Sequence, residues 1–157
     1  PFMMEEELHR NFAFTMFHAD QMPLLRFESV ETKELAPQLW QVTVTVANDR
    51  LIPTRTARAA EKGIGLADTL TLTGAEVVAA GTLDRRTDRT LDPQGFQPAT
   101  LRLERGVPGQ STVAARFLVK GTAGTAITLA WNAEKAKRIE STLKLGESTL
   151  PAAGPPK

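Results

Sequence analysis

The sequence predicts a mainly β protein, an immunoglobulin-like antiparallel β-sandwich of about seven to eight strands preceded by one N-terminal α-helix. Three observations carry that expectation. Apolar residues alternate with polar ones from Leu24 to Leu145, glycine, asparagine and proline punctuate the alternation, and the opening segment has helical spacing instead.

The helix is expected from Met4 to Asp20. Glu5, Glu6 and Glu7 sit where the positive end of a helix dipole favours carboxylates, and no proline or glycine interrupts the chain before Pro23. Leu8, Phe12, Met16 and Ala19 share one stripe, whereas Phe14 and Phe17 lie off it and widen the apolar surface to most of the circumference. Such a helix needs cover on several sides. It is expected to pack on its own domain and close the core, while Phe12, Phe14, Met16 and Phe17 are candidate contacts to a neighbouring domain.

The clearest strand contains Trp40, Val42, Val44 and Val46 alternating with Gln41, Thr43, Thr45 and Ala47. Similar runs at 24–32, 69–73, 75–80, 100–103, 112–120, 125–131 and 138–145 complete the set. Between Ile52 and Ala67 the alternation fails, and Thr56 to Lys62 reads as a short helical crossover ended by Gly63. Asp84 to Pro98 is polar, holds two prolines and reads as a long exposed loop. The organisation expected is therefore a helix over 1–23, a sandwich over 24–146 and a disordered tail over 147–157.

Nineteen Lys and Arg against eighteen Asp and Glu leave a net charge of +1, too weak a field to gather nucleic acid. Without cysteine there is no disulfide, thiolate nucleophile or thiolate metal site. No apolar run is long enough for a membrane-spanning helix. The acidic start is unlike a secretory signal, so any export signal is expected upstream.

No catalytic or metal-binding set is expected in the chain. A zinc centre needs converging imidazole or carboxylate ligands, yet His9 and His18 stand nine residues apart, on opposite faces of one helix. Ser29, Ser111, Ser141 and Ser148 have no nucleophile motif around them, and Gly63-Ile64-Gly65 and Gly121 to Gly124 lack the lysine of a phosphate loop. Glu5, Glu6, Glu7 and Asp20 are better explained as partners of the helix dipole than as an acid–base pair. Basic residues gather at Arg55/Arg58/Lys62, at Arg85/Arg86/Arg89 and at Lys135/Lys137/Arg138, each diluted by acids. Trp40 and Trp131 align with core positions of their strands, which argues against a stacking platform for sugars.

Four stretches resemble the region that follows the catalytic domain in bacterial zinc carboxypeptidases of the carboxypeptidase A-like class. They are Asn11-Phe12-Ala13-Phe14-Thr15 onward to Pro23, similar to the last peptidase helix; Val42 to Val46 running into Asn48-Asp49-Arg50-Leu51-Ile52-Pro53-Thr54; Gly74-Ala75-Glu76-Val77-Val78; and the closing strands from Phe117 to Leu145. Asp49-Arg50 stands where the family has a smaller turn, and Ile52 where leucine is usual. The resemblance implies a non-catalytic accessory domain that packs on, or guides substrate to, an upstream peptidase domain of the same polypeptide, in a secreted or envelope protein. It places the zinc and the catalytic glutamate in that parent domain and no cofactor here. The alternative reading is a module that binds cell-wall polymer or another protein through Arg85, Arg86 and Arg89.

Overall fold

The computed structural model describes residues 3–84 and 86–148. Helix α1 (Met4–Asp20) is followed by β1 (Leu25–Ala36), β2 (Leu39–Asn48), a short helix α2 (Ala57–Lys62) and β3 (Asp68–Thr73). Then come β4 (Glu76–Asp84), β5 (Arg89–Gln94), β6 (Thr100–Leu103), β7 (Ser111–Lys120), β8 (Ala126–Ala133) and β9 (Ala136–Lys144). Every strand pairing is antiparallel.

The strands form one sheet ordered β1-β2-β7-β4-β5 and a second ordered β6-β3-β8-β9. Lettering β1, β2, β3, β4, β7, β8 and β9 from A to G gives the ABED and CFG sheets of the immunoglobulin sandwich. The strands β5 and β6 are inserted between D and E, one at the edge of each sheet. The fold class expected from the alternation is therefore the one observed.

Alternation explains the core. On β2 the side chains of Val42, Val44 and Val46 are fully buried, and they face Leu70 and Leu72 of β3 and Ile127, Leu129 and Trp131 of β8 across the gap between sheets. Phe117 at the middle of β7 is likewise buried. Burying each such side chain contributes roughly 1.5–3 kcal/mol. Both tryptophans lie in this core, and each indole N–H finds an acceptor: Trp40 donates to the Gly121 carbonyl at 3.0 Å and Trp131 to the Asp68 carboxylate at 3.3 Å.

Leu25 and Val30 on β1 are both buried although they are five residues apart, which simple alternation forbids. A bulge at Glu28 resolves this, because the register passes from Phe27↔Val46 to Ser29↔Thr45 and one extra residue returns Val30 to the inner face.

Helix α2 forms where the crossover is expected. Thr56 caps it by accepting a hydrogen bond from the Ala59 amide, and Gly63 closes it in the left-handed region at φ 64°.

Three expectations are corrected. First, the segment expected to be one long loop from Asp84 to Pro98 contains β5. Pro93 survives in it because β5 is an edge strand and Asp92-Pro93 forms a bulge opposite Gly81, so no ladder donor is missing. Second, α1 does not close the core. All of its residues are exposed, and the two sheets close on each other without it. Third, Glu147 and Ser148 belong to the sandwich rather than to a tail: Thr32 on β1 donates its hydroxyl to the Glu147 carbonyl and its amide to the Ser148 hydroxyl. The rest of the expected tail, 149–157, lies outside the described residues.

Candidate functional site

The residues that carry the strongest structural signal gather at the end of the sandwich where α1 joins it. The joint is built around Asn48, which is 2% exposed at the end of β2. Its carbonyl oxygen accepts from the amides of Leu24 and Arg50, both at 3.2 Å. Its amide nitrogen donates to the carbonyls of Ile52 at 2.9 Å and Pro108 at 3.3 Å. One side chain thus ties together the entry to β1, the turn after β2 and the segment before β7, with its hydrogen-bonding capacity filled.

That turn grips the last residues of α1. Arg50 pairs with Asp20 at 2.7 Å, the Ile52 amide donates to the Gln21 carbonyl at 3.2 Å, and the Leu51 amide donates to the Gln21 side chain at 3.4 Å. Beyond this grip, α1 presents Leu8, Phe12, Phe14, Met16 and Phe17 at 52–65% exposure. All four sequence-predicted contact residues are therefore on the exposed helix, spread around it rather than on one face. His18 leans on Phe14, its ring 4.2 Å away and its Nδ1 hydrogen-bonded to the Phe14 carbonyl at 3.0 Å.

Below the joint lies a buried polar cluster that sequence reasoning missed. Asp68, 1% exposed at the start of β3, receives hydrogen bonds on one oxygen from the Thr54 hydroxyl at 2.6 Å and from Trp131. Thr54 in turn accepts from the Val107 amide at 2.7 Å. Burial raises the carboxyl above its ordinary range, against the lowering effect of Thr54, Trp131 and the nearby Arg55 charge. Arg55 is itself buried, and its guanidinium bonds to Glu104 at 2.8 Å and to the carbonyls of Glu104, Ala59 and Ile64. The basic cluster expected at Arg55/Arg58/Lys62 is thus split, with Arg55 turned inward to hold α2 on the sandwich. The only sequence signal was Thr54-Arg55 directly after Pro53.

Beside α2 runs an open cleft of about 750 Å³, lined by Pro53, Ala57, Ala60, Pro108 and Gly109 with Arg55, Glu61, Glu104 and Arg105.

The other candidates are not brought together. Arg85 lies outside the described residues. Arg86 is exposed in the β4–β5 turn, where its amide and the Thr87 hydroxyl bond to Asp84. Those bonds, the Thr87 hydroxyl foremost, hold the Asp84 carboxyl below its ordinary range. Arg89 opens β5. Asp88 of the same turn is taken up by Arg116. Among the described residues no cluster of three or more His, Asp or Glu side chains is placed to hold a metal. No helix among them is long and apolar enough to cross a membrane.

Fold and site together define an immunoglobulin-type β-sandwich module carrying an appended, uncovered helix. The chain belongs to the family described as Domain of unknown function (DUF8731), which matches residues 24–144. That match runs from the residue before β1 to the end of β9 and leaves α1 outside it. No curated protein matches the chain.

Proposed function

We propose that this chain is a non-catalytic accessory module whose sandwich holds α1 at a fixed angle against a neighbouring domain of the same polypeptide. The observation that carries this reading is the combination of an apolar surface around α1 with the absence of any buried residue on it. A helix of that composition is stable in water only when another surface covers it. The family boundary supports the same division, since the unit shared with relatives starts after the helix.

The neighbour we propose is the zinc carboxypeptidase domain that the sequence resemblance implies, with α1 as its last helix. In this reading the chain contributes packing and substrate approach, while the metal, its ligands and the catalytic base belong to the neighbour. The test is to determine the sequence encoded upstream of Pro1, then to measure the melting temperature and C-terminal residue release of the whole polypeptide with and without residues 24–148. A His-x-x-Glu pair with a distant histidine, and a lower melting temperature on truncation, are expected. Truncation without effect on either quantity would sink the packing role, and an upstream sequence lacking zinc ligands would sink the peptidase assignment.

A further inference from the structure

The outer face of the five-stranded sheet carries a second feature. Phe117 and Val119 of β7 point into the core, so Arg116 and Leu118 point the other way. Leu118 pairs with Gln41 on β2 and with Ala79 on β4, and Arg116 pairs with Thr43 and with Gly81. Ala79 gives its row only a methyl group, and there the surface sinks into an open hollow of about 340 Å³. Leu35 of β1 and Pro93 of β5, on the two edge strands of the sheet, also line it.

Among the described residues that line this hollow, Arg116 alone is charged. Its side chain is 15% exposed, and Asp88 holds it by one carboxylate oxygen on Nη2 and by its main-chain carbonyl on Nη1. The buried Nε has no hydrogen-bond partner. Asp88 therefore leaves half unused the Nε–Nη2 edge, on which a carboxylate can bond with both oxygens. Asp88 itself stays 81% exposed, so it keeps most of its hydration and releasing it costs little. A largely buried guanidinium with an unmet donor, beside an apolar hollow, is complementary to an anion with an apolar body.

We infer that the hollow binds a small amphipathic carboxylate, its aliphatic chain lying over Ala79 and its carboxylate on the Nε–Nη2 edge of Arg116 in place of Asp88. At about 30 Å³ for each non-hydrogen atom, 340 Å³ admits roughly ten of them, the size of octanoate. A ligand this small binds with a Kd on the order of 1 mM. No lining residue belongs to α1 or to the Asn48 joint, so the site stands apart from the proposed packing role.

Titration of the isotope-labelled 1–157 chain with octanoate, followed by amide NMR shifts, tests it. Saturable shifts are expected at Gln41, Ala79, Thr90 and Leu118, and octanol, which has no carboxylate, is expected to bind at least about tenfold more weakly. Arg116→Gln should weaken octanoate binding by about tenfold or more, whereas Asp88→Asn, which removes the competing carboxylate, should tighten it roughly threefold. Equal binding of octanol would reduce the hollow to an apolar depression and overturn the inference. Shifts confined to α1, or none up to about 10 mM octanoate, would overturn it as well. Should Arg116→Gln fail to fold, Asp88→Asn decides, and an octanoate affinity unchanged by that substitution would overturn the exchange of carboxylates on Arg116.

Discussion

Trp131 and Thr54, far apart in the sequence, donate to the same oxygen of Asp68, the one acidic side chain buried in the sandwich among the described residues. Burial raises this carboxyl, and the consequence for stability has a definite sign. An acid whose folded pKa exceeds its unfolded value favours the folded state most below the unfolded value. That contribution is lost as pH rises through the folded pKa. The unfolding free energy of the wild type relative to Asp68→Asn is therefore expected to fall as pH rises from about 4, and to level off above the folded pKa. Urea unfolding of both proteins across that range measures the difference, and a difference that grows with pH would contradict burial as the dominant influence.

Asn48 offers a sharper test of the joint. Asn48→Ala leaves two amides and two carbonyls without their partner in a buried setting, and is expected to cost about 2–4 kcal/mol in urea unfolding. Asn48→Asp keeps the acceptor for Leu24 and Arg50 but loses both donors, so it should also destabilise.

The core should respond as a packed interior does. Phe117→Ala, at a fully buried position on β7, is expected to cost about 3–5 kcal/mol. A loss below about 1 kcal/mol would mean that the sheets collapse around the void or that β7 does not sit between them.

Substitutions on α1 should behave in the opposite way. Phe12→Asp with Phe17→Asp is expected to change the unfolding free energy of the separate chain by no more than about 0.5 kcal/mol, because neither side chain touches the sandwich core. The same pair should lower the melting temperature of the whole natural polypeptide. An unstable separate chain carrying these substitutions would show that α1 supports the sandwich after all.

Much of the fold could be read directly. The bounds of α1, the alternation on β2 and the ending of α2 at Gly63 depend on local chemistry, which the sequence displays. The misreadings arose where long-range pairing overrides a local signal. Pro93 argues against a strand, yet an edge position with a bulge tolerates it, and only pairing with β4 reveals that position. The bulge at Glu28 is equally silent, since it follows from the register with β2. The exposed helix was legible as over-wide but not as uncovered, because spacing shows which residues are apolar and not what lies opposite them. Asp68 and Arg55 were missed because their roles depend on Thr54, Trp131 and Glu104, which approach only after the sheets close.

The bulge at Pro93 also governs how copies of this protein can meet. At that edge of the five-stranded sheet the backbone offers an irregular rim without one of its donors, and at the other edge Thr32 is already engaged by Glu147 and Ser148 beside charged Glu31, Lys33 and Glu34. Both rims resist the docking of a foreign strand, which is how natural sheets avoid growing into fibrils. Crowded molecules of this protein are therefore steered away from pairing along the edges of the five-stranded sheet.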